Sequence, residues 1–106
     1  MNAFRLGSVV ALLLTTAATA DDVQLKQGQT LLTQNCGRCH AVGRVGESAR
    51  ADAPAFRTLG TRYSIESLEE ALGEGLMTGH PDMPEMSFDA DQVGAIIVYL
   101  KSIQAR

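Results

Sequence analysis

Residues 36–40 of this 106-residue chain read Cys-Gly-Arg-Cys-His, and no other cysteine occurs in it. A disulfide between Cys36 and Cys39 would close a tiny loop, and disulfide stabilisation grows with loop length, so the pair does little to staple a domain. The spacing is that of a c-type haem attachment site. Two thiols one helical turn apart reach the two vinyl groups on one porphyrin edge. A histidine directly after the second thiol then turns its imidazole under the iron. A tethered haem also supplies a large, flat, apolar core element to a chain with three Phe, two Tyr and no Trp.

Other uses of the cysteines fit less well. A thioredoxin-like redox pair sits at a helix start after a buried strand in a βαβ pattern, and no β-branched alternating run precedes Cys36. A zinc site would draw on Cys36, Cys39, His40 and His80, the whole Cys and His complement. Adjacent Cys39 and His40 would have to share one ion, and the interval to His80 matches no finger spacing.

The first twenty residues read as a secretory signal. Met1 to Arg5 is a short positive start, Leu6 to Leu14 is an apolar run, and Ala18-Thr19-Ala20 has the small-residue pattern of a cleavage site. A membrane-spanning helix needs about 20 apolar residues, and this run has about half that. Cleavage after Ala20 leaves a single domain, residues 21–106, outside the cytoplasm, with no permanent membrane span. Arg5 is the only charge in the leader, so the rest carries eight basic against twelve acidic side chains, a formal charge of -4. That balance argues against nucleic acid, which needs clustered Lys and Arg without interspersed acids.

Helical periodicity dominates the remainder. Val23, Leu25, Gly28, Leu31 and Leu32 recur at threes and fours across Asp22 to Asn35, leading into the cysteine motif. A second helix is expected from an N-cap at Ser64 through Ile65, Leu68, Ala71 and Leu72 to the breaker Gly73-Glu74-Gly75. The clearest helix spans Asp89 to Gln104, with Ser87 and Asp89 as candidate caps and Val93, Ile96, Ile97, Leu100 and Ile103 as its apolar stripe. Ala41 to Arg62 and Leu76 to Phe88 read as loops, and no segment reads convincingly as a strand.

This order of helix, Cys-x-x-Cys-His, loop with Pro54, helix, Met-Pro loop and final amphipathic helix resembles the class I cytochrome c family over essentially all of residues 21–106. Gly28 and Leu32, eight and four residues before Cys36, look like the family's Gly and Phe positions on its first helix. Ile96 and Tyr99 match its aliphatic and aromatic positions on the last, and in the family these helices cross at close range. Leu32 departs from the usual aromatic but still fills a helix interface. The resemblance implies an all-α, cytochrome c-like fold, with three main helices and loops wrapped around one covalently attached haem c. It also implies that the Pro54 carbonyl accepts the second ring N–H of His40, fixing the imidazole's tautomer and basicity.

His40 supplies one axial ligand, and an electron carrier needs a second. A thioether suits iron cycling between Fe2+ and Fe3+. Met77, Met83 and Met86 are the candidates beyond Met1. Met83 stands between Pro81-Asp82 and Pro84, where prolines hold the chain extended, and the family's ligand is typically a Met followed by Pro. Met83 is therefore the expected sixth ligand, with Met86, Met77 and His80 as rivals. A second histidine would lower the potential relative to Met/His.

The charges are unevenly placed. Residues 38–62 hold Arg38, Arg44, Arg50, Arg57 and Arg62 against Glu47 and Asp52, whereas residues 64–91 hold eight acids and no Lys or Arg. The arginines, near the attachment edge of the haem, are placed to orient docking to an acidic redox partner. Arg57, Arg62 and Tyr63 are alternative contacts for the haem propionates. The expected function is periplasmic transfer of single electrons between redox proteins, from a donor dehydrogenase to an acceptor cytochrome or oxidase. The chain is then a carrier without catalytic residues. The alternatives are a fixed electron-accepting subunit of a periplasmic dehydrogenase, for example a sulfite- or alcohol-oxidising one, and a haem sensor or peroxidase with an open sixth position.

Overall fold

Thr19 and Asp22 begin the first helix by satisfying each other's backbone. In the computed structural model, which describes residues 3–75 and 82–105, the Thr19 hydroxyl accepts the Asp22 N–H at 3.2 Å and the Asp22 carboxylate accepts the Thr19 N–H at 3.3 Å. This capping box starts helix α1 at Ala20, and α1 runs to Cys36. The helix is thus longer at both ends than the apolar period of residues 22–35 indicates. Residues 3–19 form no helix or strand and are exposed. The expected cleavage point after Ala20 falls within the first turn of α1.

Helix α2, Leu68–Glu74, is shorter than its sequence suggests. The expected helix from Ser64 divides into a 3₁₀ turn, Ile65–Ser67, followed by α2. The Ser67 amide and hydroxyl both donate to the Ser64 carbonyl, at 3.1 and 2.7 Å. This local bonding favours the tighter i to i+3 turn. Ser64 does hold the N-cap position, without a side-chain cap bond. Gly75, at φ 122°, ends α2 in a conformation open to glycine.

Helix α3, Ala90–Ile103, is the centre of the core, and Asp89 rather than Ser87 is its cap, in a second capping box with Gln92. Val93, Ala95, Ile96, Ile97, Tyr99, Leu100 and Ile103 are all buried. Each large apolar side chain so buried contributes about 1.5–3 kcal/mol before entropy is counted. Helix α1 buries only Gly28 and Leu32, and these meet α3. A Cβ on Gly28 would collide with the Ala95 carbonyl oxygen and lie 2.8 Å from Tyr99 Cβ. The two helices therefore cross at a separation only glycine permits.

Within the expected loop 41–62 lies a 3₁₀ segment, Phe56–Thr61, that buries Phe56 and Leu59. Six residues are too few for a helical period to show. Gln104 fastens this segment to the end of α3. Its amide nitrogen donates to the Phe56 and Leu100 carbonyls at 2.9 and 2.8 Å, and its amide oxygen accepts the Gly60 N–H at 2.7 Å. Lys101 of α3 pairs with Glu66 at 2.6 Å. Among the described residues the fold is all helical, with no strand, and no helix is long and apolar enough to cross a membrane.

Candidate functional site

The helices and loops leave a cleft of about 580 Å3, within the usual range for a bound organic group. Its inner wall is apolar, built from Leu32, Phe56, Leu59, Leu72, Phe88, Ile96 and Leu100. Cys36, Cys39, His40, Met83 and Met86 line the same cleft. The structure thus gathers all four expected haem contacts, Cys36, Cys39, His40 and Met83, around one space. Met77 and His80 lie outside the described residues.

The cysteine motif keeps its shape because α1 passes directly into a turn. Gly37 donates to the Thr33 carbonyl, and the N–H groups of Cys39 and His40 both donate to the Cys36 carbonyl, at 3.2 and 3.0 Å. Both thiols are free and half-buried. Burial pushes the Cys36 thiol up to about 11. At neutral pH it is a neutral thiol and a poor redox nucleophile, unlike the lowered thiol of a thioredoxin-type pair.

His40 is fixed from two directions. Its Nδ1 lies 2.7 Å from the Pro54 carbonyl oxygen, and its ring stacks on Phe56 with centroids 4.7 Å apart and planes at 28°. A carbonyl only accepts, so Nδ1 carries the proton and Nε2 keeps its lone pair for a metal. The Phe56 amide donates to the Ala41 carbonyl at 3.0 Å, and the Tyr99 hydroxyl donates to the Val42 carbonyl at 2.8 Å. The start of the segment after His40 is therefore tied to the core.

Met83 and Met86 come from a segment without regular structure and are half-buried. One end of that segment is held where the Phe88 amide donates to the Leu72 carbonyl at 2.9 Å. At the other end Asp82 pairs with Arg50 at 2.8 Å. Asp82 and then Asp52, both hydrogen-bonded to the Arg50 guanidinium, push its pKa further up, so Arg50 stays charged.

The chemistry of this donor set fits a haem: two thiols for its edge, an imidazole nitrogen and a thioether for its iron, and an apolar wall for its faces. Residues 23–100 match the protein family described as cytochrome C oxidase, cbb3-type, subunit III. The chain belongs to this family of c-type cytochromes. No curated protein and no solved structure matches it. The cytochrome is accordingly a haem-binding electron carrier, as the motif and the order of helices indicate.

The rim of the cleft in this cytochrome departs in part from the sequence reading. Arg62 and Tyr63 line it, as do Arg38 and Arg50. Arg57 is not among its lining residues and donates to the Gly46 carbonyl at 2.6 Å. Arg44 lines a separate groove beside Tyr99. Sequence reasoning missed Phe56 as the partner of the His40 ring, although its place two residues after Pro54 offered a signal. It also missed Gln104 and the Arg50–Asp82 pair, which no local pattern marks.

Proposed function

We propose that the cytochrome carries single electrons in the periplasm through one haem c, joined to Cys36 and Cys39 by thioether bonds and ligated by His40 Nε2 and Met83. The observation that carries this reading is the hydrogen bond from His40 Nδ1 to Pro54. It leaves Nε2 as the free donor of an imidazole that shares its cleft with both thiols and Met83. When bound, the haem supplies an iron that changes between Fe2+ and Fe3+. The chain's own residues do the rest: Pro54 and Phe56 hold the imidazole, the apolar wall excludes water, and Met83 offers a thioether.

Arg38 and Arg62 at the rim support docking to a redox partner with an acidic surface, whereas Arg50 beside them is already paired with Asp52 and Asp82. Among the described residues outside the leader, the large exposed hydrophobics are Val23, Val45 and Tyr63, one from each of three separate segments. That pattern supports a free shuttle over a fixed subunit, which needs a contiguous apolar face. The family's description as an oxidase subunit favours the second reading, a cytochrome held in a larger redox complex.

The test is the visible spectrum of protein produced with haem-attachment machinery and exported, together with its N-terminal sequence. Sharp reduced bands surviving acid-acetone extraction, a far-red sulfur-to-iron band when oxidised, and a chain beginning at Asp21 are expected. Absence of covalent haem overturns the reading. Covalent haem without the far-red band shifts it to a His80-ligated or open iron.

A further inference from the structure

Arg50 touches both walls of the cleft. Its backbone belongs to the wall that carries the cysteine motif: its N–H donates to the Cys39 carbonyl at 3.1 Å, and its carbonyl accepts the Ala53 N–H at 3.0 Å. Its guanidinium reaches across 32 positions of sequence to Asp82, the residue directly before Met83. Among the described residues, this is the one side-chain hydrogen bond that joins residues 82–87 to the rest of the chain. The segment has no helix or strand to stiffen it.

We propose that the Arg50–Asp82 ion pair is a strap that holds Met83 in place, so that breaking it opens the sixth position of the iron to small ligands. The inference rests on Met83 being the sixth ligand. Arg50 is then a positioning residue, acting on the iron only through the loop.

The side chains of Arg50 and Asp82 are 43% and 64% exposed. An exposed pair contributes little and is weakened by salt. That makes the strap weak and sensitive to ionic strength. Phe88 anchors the far end of the segment by its backbone bond to Leu72 and by packing of its ring against the core, so losing the pair loosens the Met83 end more than the Phe88 end. Arg50 also pairs with Asp52 at 2.7 Å, so Asp82 is the cleaner site to change.

The experiment titrates the haem-loaded protein with imidazole, which competes with the thioether, and follows the far-red band. Asp82→Asn is expected to raise apparent imidazole affinity about two- to five-fold, the factor expected for an exposed ion pair. Glu85→Gln, which removes a charge from the same segment but leaves the strap, is expected to change nothing. Raising salt should raise imidazole affinity in the unchanged protein and not in Asp82→Asn. Equal affinities for Asp82→Asn and the unchanged protein, or an equal rise in Glu85→Gln, overturn the strap. If Asp82→Asn does not fold, a salt-independent affinity in the unchanged protein overturns it instead. Met83→Ala separates the two layers. A far-red band that survives this change overturns the ligand assignment and the strap with it, whereas its loss beside an inert Asp82→Asn overturns the strap alone.

Discussion

The Nδ1 of His40 and the carbonyl oxygen of Pro54 lie 2.7 Å apart, and this contact decides which imidazole nitrogen is free. The proline ring fixes φ near −65° and with it the direction of the chain at this point. Pro54→Gly should loosen the bond and weaken the electron donation that favours Fe3+. The reduction potential is expected to rise by about 20–60 mV, where 59 mV is a tenfold change in the one-electron equilibrium. Protein-film voltammetry checks this, and an unchanged potential would show that the bond does not tune the iron.

Gly28→Ala should destabilise the fold by about 1–3 kcal/mol, because the new methyl meets the Ala95 carbonyl and Tyr99 Cβ. For a domain of this size each kcal/mol lowers the melting temperature by about 4–8 °C. Thermal unfolding followed by circular dichroism measures it. A melting temperature equal to that of the unchanged protein would mean that the helices separate without cost.

Tyr99→Phe removes the hydroxyl that donates to Val42 and should cost about 0.5–1.5 kcal/mol at neutral pH. Desolvation raises the Tyr99 pKa above its ordinary 10.0, against a smaller opposing effect of Arg44. A group whose folded pKa is raised contributes its stability fully below pH 10 and loses it as pH climbs through the folded value. Urea unfolding between pH 7 and 11 should therefore show an alkaline fall in stability that is shallower in the Phe variant. Parallel pH profiles would refute this account.

Gln104→Ala leaves the Gly60 N–H and the Phe56 carbonyl without their partner, and should cost about 1–2 kcal/mol. Gln104→Glu keeps an acceptor for Gly60 but loses the donor to Phe56 and Leu100, so its urea midpoint is expected between the two. A midpoint for Gln104→Glu at or above that of the unchanged protein would show that the amide donor does not matter.

Met83→His should lower the potential by on the order of 100 mV, because a second nitrogen donor favours Fe3+ more than a thioether does. Met86→Ala should leave it within about 20 mV, since a residue that only lines the pocket changes packing and not ligation. Potentiometric titration of both variants reads this, and a reversed order would transfer the ligand role to Met86.

The sequence by itself determined the attachment motif, the apolar stripe of α3 and the all-helical class, while the Gly28 crossing came from the resemblance. The first three are written in short-range spacing: two thiols at i and i+3, a 3.6-residue period, a cap next to its helix. The cap of α3 was narrowed by local chemistry to Ser87 or Asp89, and the Pro54 carbonyl was legible from resemblance. The tertiary structure alone decided where Arg57 donates, that Phe56 stacks on His40, that Gln104 binds the 3₁₀ segment Phe56–Thr61, and that Arg50 meets Asp82. Most of these contacts join residues far apart in the chain, and polar side chains on irregular segments carry no period that would announce their partners. Their pairing depends on how closely α1 and α3 approach and on where that leaves the loops around the cleft.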